Sequence, residues 1–453
     1  MAADPFSAVP YEIVAHILSF VPRPDLPTVC LINQSLCRCA EPILCSDITL
    51  EWTHQRKSPP IIPLLQKLFR RPELFDCIDA VSLTGDDFVG RDPSPPLTAT
   101  ESTVTEFERI IKSFDAPFAD AWVEKLREGS MDAFAALLIA HLSKVRRLTI
   151  TDNYIRRLDL IGKTLQSKAI GQHLPRFERL KLITYFHGFD YYAPAPPHRS
   201  DEVMALFHVP TVTHLAAQMG STELFHWPAG EPDLGCLTSL DLEGCCATFM
   251  AKILALTRSL KSLSWRWEYA PETDDPWMTT DLDLDEIISA LSYVKDTLEK
   301  LQFRITVYSG YRREGEPAMD VSGSFGGLVN FNRLTEIEVP LACLADFGAQ
   351  PQPLDRHVPR SVEILSLSTS MLYNEGVLWI PDDEWPTDQD VVQLLQQLVK
   401  SYPTKLPQLR LVKIIDDISC FENRQFDEML ANTPLDIDIE VVRSISPLWD
   451  ISV

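Results

Sequence analysis

The chain has 453 residues, 45% apolar and 23% charged, with 64 acidic against 41 basic side chains and a net charge of −23. These fractions exclude a disordered or fibrous polymer, and the length suits two or three ordinary domains or one extended repeat array. The acidic surplus repels phosphate backbones and anionic headgroups, so neither nucleic acid nor a membrane surface is an expected partner.

The opening Met1-Ala-Ala-Asp-Pro lacks the charged and apolar regions of a signal peptide, and no stretch approaches the roughly 18 apolar residues of a membrane-spanning helix. Ten cysteines are scattered, several inside apolar runs (Cys30, Cys77, Cys343), as reduced thiols of a cytoplasmic or nuclear protein would be. Proline is enriched, at 34 residues, which points to long loops between short elements.

Residues 6–46 read as three helices. Val9-Pro10-Tyr11-Glu12 opens the first, because a proline in the first turn loses no hydrogen bond. Ile13, Ile17 and Phe20 repeat at helical spacing, with Val14, Leu18 and Val21 one step over. Pro22 and Pro24 end that helix. Asp25 is placed to cap a second, carrying Leu26, Val29, Cys30 and Ile32. A third starts near Ser35 with Leu36, Cys39, Ala40, Ile43 and Leu44. Three helices in some forty residues bury too little surface to stand alone, so the unit needs a partner or a neighbouring domain.

Beyond residue 47 a short apolar pattern close to L-x-x-L-x-L recurs ten times. It occupies 78–83 (IDAVSL), 145–150 (VRRLTI), 177–182 (FERLKL), 212–217 (VTHLAA), 237–242 (LTSLDL), 260–265 (LKSLSW), 298–303 (LEKLQF), 334–339 (LTEIEV), 362–367 (VEILSL) and 409–414 (LRLVKI). Helical periodicity fills intervening stretches at 132–142, 282–296 and 390–400. The spacing is irregular and mostly longer than the 20–29 residues of regular leucine-rich repeats. The expectation is an irregular leucine-rich solenoid, a curved parallel sheet with outer helices. Ordinary βα units in a doubly wound sheet are the alternative, disfavoured because the triplet recurs in one phase and no nucleotide loop accompanies it.

Catalytic and metal motifs do not complete themselves. Leu160-Ile-Gly162-Lys163-Thr164 has the end of a phosphate loop, but Arg157 stands where its first glycine belongs. Asp281-x-Asp283-x-Asp285 starts like a calcium loop, yet Glu286 replaces the turn glycine and Ser292 the final glutamate, so it reads as an acidic helix start. Neither a zinc pair, a metalloprotease helix nor a nucleophile elbow is present. Trp265 and Trp267 alternate with Arg266 along a strand and read as a core stripe. No cofactor is expected.

Val9-Pro10-x-Glu12-Ile13, then Ile17-Leu18-x-Phe20-Val21-Pro22, Asp25-Leu26 and Leu31-Ile32-Asn33, resembles an F-box, with Val9 in place of the usual leucine. The stretch from Leu64 through Pro72 to Leu83 is similar to the linker of fungal F-box proteins with irregular leucine-rich repeats. That resemblance implies a non-catalytic substrate adaptor of an SCF-type E3 ubiquitin ligase. Val9, Pro10, Ile13, Ile17, Leu18 and Leu26 would dock on the Skp-family subunit and through it on a cullin, while the repeats hold a protein substrate. An F-box scaffold acting outside ubiquitination is the alternative. The fold expected is α/β, with an F-box-like module over 1–50, linker helices and a first repeat over 51–144, and substrate-binding repeats over 145–453.

In each L-x-x-L-x-L strand the residues flanking the second leucine point away from the core. Read that way, Arg147, Arg179, Lys181, Arg266, Lys300 and Arg304, with Lys413, outnumber Asp241, Glu243, Glu336 and Glu338 on the open face. Basic clusters at Arg147/Arg179/Lys181 and Arg266/Lys300/Arg304 are therefore expected, suited to an acidic or phosphorylated substrate segment.

Overall fold

The computed structural model describes residues 9–52, 59–85, 96–151, 154, 158–186, 203–219, 227, 230–269, 281–307, 320–345, 352–369, 388–416 and 438–443. The fold is α/β, and the chain divides into two compact units: residues 1–217 with 226–233, and residues 218–225 with 234–453.

The first unit begins with α1 (Tyr11–Leu18), α2 (Leu26–Ile32) and α3 (Gln34–Cys45). Pro10 precedes the first helical turn of α1, and Glu12 sits in that turn, where the macrodipole favours an acid. Asp25 occupies the N-cap position of α2, but its side chain makes no capping bond there, because a 3-10 turn at Arg23–Asp25 leads directly into the helix. Asn33 is the functional cap of α3: its side-chain oxygen accepts the Leu36 N–H at 2.7 Å. Val14, Leu18, Leu26, Leu36, Cys39 and Ala40 form the core of this three-helix module.

The chain leaves α3 directly into β1 (Asp47–Trp52), whose Ile48, Leu50 and Trp52 alternate inward. Next come α4 (Ile61–Arg70), β2 (Ala80–Gly85), α5 (Glu101–Ser113), α6 (Ala119–Arg127) and α7 (Met131–His141). Helix α7 is buried from Ala133 to Ala140 without a polar stripe, as a helix apolar all round requires. Then follow β3 (Arg147–Thr151), α8 (Asp159–Ile170), β4 (Leu182–Phe186) and β5 (His214–Gln218). Strands β1 to β5 pair in chain order, all parallel.

The second unit holds β6 (Ser239–Glu243), α9 (Ala247–Leu254), β7 (Ser262–Tyr269), β8 (Asp281–Asp283), α10 (Leu284–Leu291), β9 (Lys300–Val307) and β10 (Asp320–Ser322). It continues with β11 (Glu336–Pro340), α11 (Leu341–Ala345), β12 (Ile364–Ser368), α12 (Asp388–Lys405), β13 (Leu411–Asp416) and β14 (Asp438–Arg443). The main sheet runs β6-β7-β9-β11-β12-β13-β14, parallel throughout, and β8 and β10 pair as a small separate ribbon.

One position organises the stacking in both units. The second residue of each apolar triplet links to its equivalent in the next: Arg146 N–H to the Asp79 carbonyl, Lys181 to Arg146, and Thr213 to Lys181 in the first unit. In the second, Lys261 donates to Thr238, Glu299 to Lys261, Thr335 to Glu299, Glu363 to Thr335 and Arg410 to Glu363. The strands begin just past these residues, so the observed elements start about two residues later than the triplets that announced them.

The pattern at 177–182 is the exception. Leu148 and Ile150 of β3 pair with Ile183 and Tyr185 of β4, so the working triplet is Leu180-x-x-Ile183-x-Tyr185, three residues further on. Arg179 and Lys181 consequently lie before the strand and do not flank its central apolar residue. Strands β1 and β14 and the β8–β10 ribbon belong to no predicted triplet.

The discarded motifs have structural readings. Gly162 and Thr164 are buried inside α8, and the amides of Leu160 and Ile161 at its start donate to the Asp132 carboxylate at 2.7 and 3.1 Å. Asp283 caps α10 by accepting from the amides of Asp285 and Glu286. Trp265 and Trp267 are buried on the core side of β7, as read from the alternation.

Candidate interaction surfaces

In the N-terminal module the two interleaved ridges of α1 separate. Val14 and Leu18 turn inward, whereas Ile13, Ile17 and Phe20 face solvent, at 51%, 57% and 75% exposure. At the end of α2, Leu31 and Ile32 are exposed at 86% and 64%. Among the predicted docking residues, Ile13 and Ile17 are on the surface, Pro10 is exposed, and Val9 packs partly against the module core. Leu18 and Leu26 are not available to a partner, since both are sealed in that core. Helical spacing gives 13/17/20 and 14/18/21 equal weight, and the resemblance that supplies both Ile17 and Leu18 as docking residues does not distinguish the two ridges. Tyr11, Phe20, Leu31 and Ile32 are further apolar side chains on the module's surface, and burying any of them against a partner is worth about 1.5–3 kcal/mol per side chain.

Polar contacts tie the module to the rest of its unit. Arg23 donates to the carbonyls of Leu44 and Asp47 at 2.9 and 2.6 Å. The Glu41 carboxylate of α3 is nearly buried and receives both Lys67 and Arg71. Burial alone would raise the Glu41 carboxyl, but the hydrogen bonds and charges of these two cations outweigh it and hold the group below the usual carboxylate range.

On the open face of the first unit's sheet, register brings Thr49, Ser82, Thr149, Thr184 and Ala216 into one row. A second row runs Asp47, Ala80, Arg147, Leu182 and His214. Arg147 is exposed there, while Arg179 and Lys181 are exposed ahead of β4. The cluster expected from these three is therefore one cation on the sheet and two on the turn, with the Lys181 ammonium donating to the Thr211 carbonyl.

In the second unit, Arg266, Lys300, Arg304 and Lys413 do occupy the open face, in register with their neighbours. Each, however, is engaged by a carboxylate of an adjoining strand. Arg266 pairs with Glu243, Lys300 with Glu336 at 2.7 Å, Arg304 with Glu338 at 2.6 Å and Lys413 with Glu440 at 3.4 Å. Alternation also places Glu268, Asp438 and Glu440 on this face. Seven carboxylates (241, 243, 268, 336, 338, 438, 440) thus face four cations among the described residues. Register sets Arg266 directly opposite Arg304, with Lys300 on the same face of β9, so the three bases do lie near one another, but each is paired with a carboxylate of an adjoining strand. Between these charges the short side chains of Ser262, Ser264 and Ser366 leave an open hollow of about 380 Å³, bordered by Ile364, Ile415 and Val442.

No helix among the described residues is long and apolar enough to cross a membrane. No protein-family model matches this chain, and no curated protein matches it.

Proposed function

We propose that this chain is a non-catalytic substrate adaptor of an SCF-type ubiquitin ligase, an F-box module followed by irregular leucine-rich repeats. The observation that carries the reading is the outward ridge Ile13–Ile17–Phe20, with Leu31 and Ile32, on a three-helix module whose own core is already closed. Large aliphatic and aromatic side chains held in water at such exposure mark a protein contact. The Skp-family subunit is the partner implied by the F-box resemblance of residues 9–33, and a cullin would follow through it.

The repeats behind the module favour the same reading. A parallel ladder joined at one recurring backbone position stacks successive strands and leaves an open sheet face in each unit for a protein substrate. Such a protein works by proximity, raising the effective concentration of substrate lysines near a charged conjugating enzyme.

The test is co-purification of the full chain with a Skp-family subunit and a cullin. Wild type is expected to recover both, and Ile17→Asp neither, while its melting temperature stays that of wild type. Recovery of Skp without cullin would move the reading to a scaffold outside ubiquitination. Failure of wild type to hold Skp would overturn it.

A further inference from the structure

In the second unit the charged residues directly before the main-sheet strands are paired with one another, Lys261 with Glu299 at 3.1 Å and Arg410 with Glu363 at 3.0 Å. The equivalent rim of the first unit, over 76–80, 143–147, 178–182 and 211–214, is not balanced in this way. Asp76 pairs with Lys144 at 2.9 Å and Asp79 with Arg146 at 3.0 Å. Arg147, Arg179 and Lys181 are all exposed, and none of them reaches a carboxylate among the described residues. Register is the reason. Arg147 stands opposite Ala80 on one side and Leu182 on the other. The Lys181 amide donates to the Arg146 carbonyl at 2.9 Å and its carbonyl accepts the Thr213 amide, so its neighbours are a base and a hydroxyl. Five lysines and arginines therefore stand against Asp76, Asp79 and the exposed Glu178 on this rim, in a chain whose net charge is −23.

We infer that the strand-start rim of the first unit takes a short carboxylate-rich protein segment, whose aspartate or glutamate side chains engage Arg147, Arg179 and Lys181. No internal ion pair has to break to admit it, because these three cations are unpaired. A guanidinium donates two parallel N–H groups to one carboxylate, which orients the segment as well as attracting it. Charge complementarity of this kind sets partner choice more than raw affinity. A long polyanion is disfavoured, since beyond the rim it meets the acidic surplus of the whole chain, whereas a short segment feels mainly charges within a Debye length of about 8 Å. The inference rests on the reading of the repeats as the substrate-holding part of an adaptor.

Fluorescence anisotropy with the full chain and labelled probes tests it. The probes are a short glutamate-rich peptide, the same peptide with glutamine for glutamate, the glutamine peptide with phosphoserine inserted, and an oligothymidine. The glutamate peptide is expected to bind about tenfold more tightly than the glutamine peptide and to weaken as sodium chloride is raised. Exposed ion pairs are individually weak, so the informative variant is the double reversal Arg179→Glu with Lys181→Glu, which should weaken the glutamate peptide about tenfold at an unchanged melting temperature. Lys295→Glu, the same charge change at an exposed lysine of the second unit, should leave binding as in wild type. Equal binding of the glutamine peptide, binding of the phosphoserine peptide alone, tighter binding of oligothymidine, or an equal loss in Lys295→Glu would overturn it. Because no Skp subunit is present, the outcomes separate. Peptide selectivity without Skp capture sinks only the adaptor reading, and Skp capture without selectivity sinks only this inference.

Discussion

The Glu41 carboxylate of α3 accepts the Lys67 ammonium of α4 at 2.8 Å while only a tenth of its side chain remains exposed, whereas half of the Lys67 side chain stays in water. This pair, with Arg71 alongside, joins the N-terminal module to the helix that follows β1. The asymmetry of burial makes the acid the critical member.

Glu41→Gln would leave two cations facing a buried amide, and a loss of about 1–3 kcal/mol is expected by chemical denaturation. Since the fold holds this carboxyl below its ordinary range, its contribution is complete above that range and is lost as pH falls through the lower, folded value. The acid limb of the wild-type stability profile should therefore be steeper than that of the variant.

Ile17 and Leu18 are neighbours in sequence with opposite fates, and substitution separates contact from support. Ile17→Asp is expected to abolish Skp-subunit capture with little change in stability. Leu26→Ala, at 0% exposure, should cost about 2–5 kcal/mol by opening a cavity in the module core. A stability loss from Ile17→Asp as large as that from Leu26→Ala would show that the ridge packs inward.

Lys168 lies wholly within the first unit, its ammonium donating to the Ala140 carbonyl at 3.0 Å and resting 4.5 Å from the Phe177 ring. Burial pushes this lysine down to about 7. Between that value and the ordinary lysine range the unfolded chain binds the extra proton, so stability rises with pH there. Lys168→Met should stabilise the protein by on the order of 2–4 kcal/mol at pH 6, less the lost hydrogen bond, and the gain should shrink as pH climbs toward 10. Thermal unfolding at pH 6, 8 and 9.5 checks the trend, and a gain that grows with pH would refute it.

Gly244 follows β6 with a φ of +71°, and a Cβ there would stand 2.4 Å from the Met219 carbonyl oxygen. Both atoms belong to backbone, so neither can swing aside. Gly244→Ala is expected to cost about 2 kcal/mol or more, against a few tenths at an exposed site that tolerates alanine. Urea denaturation measures it.

The element types were largely legible because local chemistry declares them. Pro10 and the helical spacing of α1 to α3 marked three helices, and the apolar periodicity of 132–142 a further one, whose all-round burial from Ala133 to Ala140 only the packing shows. The apolar triplets located most of the main-sheet strands, since a residue that must reach the core every second position leaves a period in the sequence. Strand β1 carries the same alternation in Ile48-x-Leu50-x-Trp52, directly after the end of α3. The charge balance of each open face was not legible, because Glu440 and Lys413 are 27 positions apart and are opposed only by register.

What the amino-acid order determined by itself was periodicity: which stretches coil, which extend, and which residues share a stripe. Which of two equivalent stripes turns inward was decided by packing, as with Val14 and Leu18 against Ile13 and Ile17, because burial depends on what the rest of the fold brings to each side. The phase of β4 was decided the same way. Phe177-x-x-Leu180-x-Leu182 and Leu180-x-x-Ile183-x-Tyr185 satisfy one template equally, and only hydrogen bonding to β3 distinguishes them. Local spacing repeats along a chain, whereas pairing across a sheet is a long-range choice made once.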